Sequence, residues 1–401
     1  MWRFMLALFL CTNTLFAYLV TENNYTQQQR VLKSLDIDTS FLNDPILLSM
    51  RDDLDRYRTH HFLNILERGY QFVPILRQMI ADAGIPDAFL YLAMTESNFS
   101  ARAYSSARAV GLWQFMPFTG KRFGLTIDEY VDERRDPIKS TEAAIRLLQH
   151  LHGEFGKWYL AAMAYNCGDG CMRRAIERAQ TDDLRVLLDP EKRYVPQETR
   201  NYIRKILTMA HLSSSADFII GHDGDHLMNQ GSSFTYTPVN VPGGTTLEAI
   251  AKSIGLPAKV VKEYNVHLNY FFTPPNAKES VVYIPYDKKA LFVQNFKPSD
   301  GAGAFYVHVV KKGDSLHAIG RQYGIAYKII KDFNNLSTNT LRVNQKLIVP
   351  VFKPTKKQYV VRQGDTLASI SKRFNVSLNE LMRANNLESS VIHPGGRIAI
   401  P

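Results

Sequence analysis

Ala88-Phe-Leu-Tyr-Leu-Ala-Met-Thr-Glu-Ser97 is an apolar run that ends on a carboxylate. Phe89, Leu92 and Ala93 stand seven, four and three residues before Glu96, so all four fall on one face of a 3.6-residue helix. Gly84 reads as the stop of a preceding helix, and Pro86 as the first residue of the new one, where a missing N–H costs nothing. This reading sets Glu96 against apolar side chains near the carbonyl end of its helix. Burial and the negative end of the helix dipole both raise a carboxyl pKa. A carboxyl that keeps its proton at neutral pH suits protonation of a glycosidic oxygen. The competing reading is an ordinary solvated Glu at a helix end, and the residues downstream weigh against it.

Those residues are Ser105-Ser-Ala-Arg-Ala-Val-Gly-Leu-Trp-Gln-Phe-Met-Pro117, Ala164-Tyr-Asn166 and Pro196-Gln-Glu-Thr-Arg-Asn-Tyr202, separated by helical pattern. With Glu96-Ser97, the Gly-Leu-Trp-Gln, Ala-Tyr-Asn and Glu-Thr-Arg-x-Tyr motifs follow in an order and at intervals that resemble the soluble-lytic-transglycosylase domain. Over nearly the whole chain the resemblance is to the membrane-bound lytic murein transglycosylase D group. It implies an α-helical, lysozyme-like catalytic domain that cuts the bond between N-acetylmuramic acid and N-acetylglucosamine in peptidoglycan without using water. By the resemblance, Glu96 first protonates the leaving oxygen. As carboxylate it then takes a proton from the muramyl primary hydroxyl, which closes an anhydro ring. An ordinary glycosidase needs a second carboxylate, and none lies between Glu96 and Asp128, although one from farther along the chain is not excluded.

A sugar cleft needs planar stackers and bidentate hydrogen-bonding groups. Gln114, Asn166 and Glu198 are of the second kind, while Trp113 and Tyr165 are candidates for the first. Ser97 and Gly111 belong to the matched motifs. Ser105 matches the family serine six residues before Gly111, and Tyr202 the tyrosine that faces the cleft. Trp113, Phe115 and Met116 are expected in the core. Arg108 stands where many relatives carry a small residue, often Gly, which is expected to alter the local loop and its subsite.

An internal repeat follows. Gly313-Asp-Ser-Leu-His-Ala-Ile319 recurs as Gly364-Asp-Thr-Leu-Ala-Ser-Ile370 and Asn334-Asn-Leu336 as Asn385-Asn-Leu387, both with an offset of 51. Alternating runs, a Gly-Asp turn, two short helical patterns and a closing apolar strand make each copy β-α-α-β. This resembles LysM, a small module that binds glycans containing N-acetylglucosamine, and implies Gly313, Asp314, Asn334, Gly364, Asp365 and Asn385 as its glycan-binding residues. A degraded third copy keeps Gly244-Thr-Thr-Leu-Glu-Ala-Ile250, Tyr264-Asn265 and Tyr283-Ile-Pro285, loses the Asp and gains residues before its last strand. It is read as a spacer that keeps the fold more than as a glycan binder.

Residues 305–401 hold 15 Lys and Arg against 5 Asp and Glu, which leaves 33 of each sign in the rest of the chain. The formal excess of +10 therefore sits in the paired repeats. Such a module suits an anionic polymer such as peptidoglycan or, by peripheral association, an anionic bilayer. Nucleic acid is set aside because Met-Trp-Arg followed by Phe4-Met-Leu-Ala-Leu-Phe-Leu10 reads as a secretory signal, too short to span a bilayer. Cleavage is expected after Ala17 and the destination is the periplasm. Lipoprotein anchoring at Cys11 is disfavoured because Leu10 is not small. In an oxidising compartment Cys167 and Cys171 are expected to pair. Two cysteines with no neighbouring histidine make an incomplete zinc site, so no metal and no cofactor are expected.

The expected organisation is a signal peptide over 1–17, a helical extension over 18–60, the catalytic domain over 61–212 and a linker over 213–234. The degenerate module over 235–286, a linker over 287–304, LysM over 305–350, a linker over 351–358 and LysM over 359–401 complete it. A lysozyme-type hydrolase and a non-catalytic wall-binding scaffold are the competing functions.

Overall fold

The computed structural model describes residues 25–215, 236–297, 304–351 and 357–400, apart from positions 58, 70, 276, 335, 375, 386 and 388. The expected signal, Cys11 and nearly all of the 213–234 linker lie outside these residues. The chain divides into two compact units. One holds a helical domain and, but for two short loops, the module that follows it; the other holds the two C-terminal modules.

The helical domain is built on α5 (Phe89–Ser97), in which Leu92, Ala93 and Met94 have no solvent exposure. A helix apolar on nearly every side belongs in the middle of a bundle, and α4 (Val73–Asp82), α8 (Trp158–Cys167) and α11 (Gln197–Ser214) share its core. Gly84 turns the chain with φ +65° as expected, but Pro86 does not open the helix. The N–H groups of Phe89, Leu90 and Tyr91 donate to the carbonyls of Pro86, Asp87 and Ala88, a tight 3₁₀-type turn that leads into α5. Asn98, in the left-handed conformation at φ 51°, ends it one residue after Ser97. α7 (Pro137–Phe155) is delimited by plain chemistry: Asp136 accepts from the N–H groups of Ile138 and Lys139, Pro137 occupies the first position, and Gly156 closes it at φ +73°.

The N-terminal extension is part of this domain. A helix over residues 25–34, α2 (Pro45–Tyr57) and α3 (Thr59–Gly69) contribute Leu32, Leu35, Leu47, Phe62 and Ile65 to the same core. The expected boundary at residue 60 cuts through α3. Arg204 of α11 donates through Nε and Nη2 to the two oxygens of Asp44, each at 2.9 Å, and fixes the start of α2.

The degraded repeat folds as β1 (Tyr236–Pro242), two helices over Leu247–Ile254 and Ala258–Tyr264, and β2 (Glu279–Pro285), which pairs with β1. The residues it gains before its last strand dock on the helical domain. Val131 bridges Leu268, Asp132 N–H donates to the His267 carbonyl, and Asn269 accepts from Arg135 and donates to the Glu129 carbonyl. The expected linker from 287 onward is largely a helix, Lys289–Asn295, whose Phe292 packs into the module's core.

Each C-terminal repeat has its own small core. In the first, Ala304–Val309 pairs antiparallel with Lys346–Val351 in the register Phe305 to Pro350 and Val307 to Ile348, over helices Leu316–Tyr323 and Tyr327–Phe333. In the second, Lys357–Val360 pairs with Arg397–Ile400 over helices Leu367–Phe374 and Leu378–Ala384.

Candidate active site

Glu96 lies in the last turn of α5, where α11 crosses it and brings Tyr202 to it. The Tyr202 hydroxyl donates to Glu96 Oε1 at 2.5 Å. Burial pushes the Glu96 carboxyl up to about 7; the Tyr202 bond opposes this, the Glu198 charge adds to it and Lys205 opposes it. The phenols of Tyr165 and Tyr202 are both raised, first by their own burial and then by the Glu96 charge. Glu96, Tyr165, Glu198 and Tyr202 are thus one electrostatic cluster, drawn from α5, α8 and α11. Glu198 itself is exposed and sits one turn before Tyr202. It is a carboxylate from farther along the chain whose charge reaches Glu96.

Asn166 lies in the last turn of α8 with Oδ1 accepting from the Thr199 hydroxyl at 2.7 Å, which ties the Ala-Tyr-Asn motif to the start of α11. Tyr165 donates to the Trp113 carbonyl at 2.7 Å and so joins α8 to the loop that carries the Gly-Leu-Trp-Gln motif. Trp113 and Phe115 are buried as expected, with Trp113 Nε1 donating to Thr141 at 2.8 Å, so Trp113 is not a stacking platform. Met116 departs from the expected core. It precedes Pro117 at the opening of a short helix, Pro117–Arg122, and is 42% exposed.

The loop is organised by a residue the sequence reading passed over. Arg134 is buried, pairs with Asp132 at 2.8 Å and donates to the carbonyls of Arg108 at 2.9 Å and Phe115 at 3.1 Å. Gly111 passes so close that an added Cβ would lie 1.7 Å from the Arg134 carbonyl oxygen, at a φ of +85° that side chains avoid. Only glycine fits there. Arg108 adopts φ +69°, a left-handed conformation that costs about 1 kcal/mol in a non-glycine residue and sets the local loop shape. Ser105 Oγ accepts from Ala109 N–H at 3.0 Å, Gln114 donates to the Gly111 carbonyl at 2.9 Å, and Ser97 donates to the Ala93 carbonyl at 3.1 Å. These three side chains shape the loop and helix that border Glu96. Cys167 and Cys171 are joined as a disulfide, with their Cα atoms 5.8 Å apart, directly after Asn166.

In the C-terminal modules the asparagines and aspartates named for glycan binding also make bonds within the fold. Asn334 Nδ2 donates to the carbonyls of Ile330 and Ile348, and its Oδ1 accepts from Ile348 N–H. Asn385 makes the same three bonds to Leu381 and Ala399, and so does Asn265 to Val261 and Tyr283 in the degraded copy. An amide with all these bonds made clamps the second helix to the last strand. Asp314 and Asp365 likewise accept the N–H groups of Lys311 and Arg362, across turns where Gly313 and Gly364 have φ +94° and +87°. The asparagine amides and one carboxylate oxygen of each aspartate are thus engaged in the clamp and the turn. Among the described residues no group of three or more His, Cys, Asp or Glu side chains is placed to hold a metal.

Family models match this architecture in order: a Transglycosylase SLT domain over residues 76–187, a Lytic transglycosylase MltD, LysM-like domain over 235–300, and LysM domains over 308–350 and 359–401. The chain thus carries an SLT domain followed by an MltD-type LysM-like domain and two LysM domains. Its relatives include membrane-bound lytic murein transglycosylase D of Escherichia coli K12, 26% identical over 340 residues that span 79% of this chain and 73% of that protein. Its LysM pair resembles the cell wall-binding protein YocH of Bacillus subtilis, 33% identical over 23% of this chain and 32% of that one. Among solved structures, an inactive mutant of the lytic transglycosylase Slt from Pseudomonas aeruginosa is 23% identical and covers 37% of this chain and 24% of that one, with a TM-score of 0.30. The SLT match begins at residue 76, so the helices of the N-terminal extension that close this transglycosylase's core lie outside it. No described helix is long and apolar enough to cross a membrane.

Proposed function

We propose that this transglycosylase cleaves the bond between N-acetylmuramic acid and N-acetylglucosamine in peptidoglycan, with Glu96 as its acid and then its base. The buried Glu96 carboxyl, bonded to Tyr202 and pushed up to about 7 by that burial, is the single observation that carries the reading, because one group must be protonated in the first step and ionised in the second. The Tyr202 hydroxyl occupies Oε1, which leaves Oε2 to hold the proton given to the glycosidic oxygen. Once the leaving sugar has taken it, the carboxylate accepts the proton of the muramyl primary hydroxyl as that oxygen bonds to the anomeric carbon and closes the anhydro ring. The Tyr202 bond then steadies the anion. Glu198 and Asn166 border the start of α11 and are assigned to the sugar hydroxyl and acetamido groups, as are Ser97, Ser105 and Gln114 along the loop side.

The basic C-terminal modules hold the enzyme on the wall, and the proposed location is the periplasm. Purified murein digested with the protein, followed by mass analysis, tests the reaction. Anhydro ends 18 Da lighter than hydrolytic ends are expected; reducing ends would assign a lysozyme-type hydrolase instead, and no release at all would leave a binding scaffold.

A further inference from the structure

Beside the disulfide, between α9 (Asp169–Ala179) and the start of α11, lies an open hollow of about 680 Å³ into which Arg174, Arg178, Arg193 and Arg200 converge. None of the four has a carboxylate partner among the described residues, whereas Arg173 on the same helix pairs with both Glu154 and Asp169. Arg178 lies over the Tyr194 ring at 5.6 Å, and Arg200 donates to the Val195 carbonyl at 2.8 Å. Arg174 and Arg178 are four apart on one helix, where like charges repel. Arg193 is held at φ 50°, a conformation that disfavours side chains. Pro196 supplies no side-chain cap, so the free N–H groups at the head of the 18-residue α11 add positive potential at the same rim. Two structural costs and four guanidinium groups without a carboxylate partner among the described residues, around one concavity, describe a site built for an anion.

The position of the hollow selects which anion. Cys171 lines it and is bonded to Cys167, the residue after Asn166; Gln197 lines it two residues before Thr199, the hydroxyl bonded to Asn166. The hollow therefore adjoins the Asn166–Thr199 bond, where Asn166 is assigned to the substrate. We propose that the hollow binds the carboxylates of the stem peptides carried by the glycan strand being cut. This rests on peptidoglycan being the substrate. Guanidinium groups take carboxylates in a bidentate fork, and four of them suit a peptide with several carboxylates better than a neutral sugar.

The test uses soluble glycan strands with intact stem peptides and the same strands stripped of peptide by an amidase, on the wild type and on an Arg174→Ala, Arg193→Ala double variant. Both side chains are exposed and unpaired, so the variant is expected to melt with the wild type. Its KM for peptide-bearing strands should rise about tenfold with kcat within about twofold, while turnover of stripped strands stays unchanged. Calorimetric titration with free stem tetrapeptide should show binding to the wild type that the variant loses. Equal effects on both strands, or none on either, in a folded protein would overturn the inference, as would inorganic phosphate displacing the tetrapeptide at equal concentration. Absence of anhydro ends from the wild type on every strand would instead refute the proposed reaction, with the titration still reading the hollow.

Discussion

At Glu96 the decisive quantity is a proton affinity set by neighbours. Glu96→Gln keeps the shape and removes the proton, so anhydromuropeptide release should fall by at least about a thousandfold while the protein stays folded; retention of a tenth of the rate would exclude Glu96 as catalyst. The same variant reads the linkage. A carboxyl raised from 4.5 to about 7 is ionised in the unfolded chain but still protonated in the folded one between those values, so wild-type stability declines as pH rises through that window. Glu96→Gln should therefore be more stable than the wild type above pH 7, by about 3 kcal/mol, with the gap closing toward pH 4.5. Tyr202→Phe removes a bond that lowers the Glu96 pKa. The alkaline limb of its kcat/KM profile should move to higher pH, and an unmoved limb would show that the hydroxyl does not act on the carboxyl.

Among the elements, α11 carries the most consequence, because it meets α2 through Arg204 and α5 through Tyr202. Asp44 is held below the usual carboxylate range in spite of the burial that opposes it, chiefly by the Arg204 fork. Asp44→Ala should cost about 3 kcal/mol or more by stranding the buried guanidinium. The wild-type contribution is present above the unfolded pKa and lost as pH falls through the lower folded one, which acid unfolding of the pair of proteins would measure. Much of this was legible beforehand. The i, i+3, i+4 pattern found α5, and the spacing of 51 found the C-terminal repeats, since both are periodic in sequence. Arg134 was not, because Asp132-Glu-Arg-Arg-Asp136 reads as a solvated charge run until the loop of Gly111 folds over it. Nor was the role of Asn334 and Asn385: periodicity shows that a residue recurs, while its three bonds depend on which strand lies opposite.

The whole molecule is organised differently from a catalytic domain with three beads behind it. Tyr283 of the first module donates to Asp136, the cap of α7, at 3.1 Å, and Arg102 pairs with Glu263 at 2.7 Å. Truncation after residue 297 should keep the melting temperature and the activity on soluble muropeptides, whereas truncation after 215 should lower the melting temperature measurably by uncovering the Tyr236 and Tyr283 surface. Residues 304–401 alone should sediment with insoluble murein at moderate salt, and failure to do so would remove the wall-holding role of the repeats. The asparagine clamp has a consequence for this layout. A copy that spends its asparagine on its own scaffold does not need a ligand to stay folded, so the copy that lacks the aspartate and carries a longer loop can serve as a buttress to the helical domain.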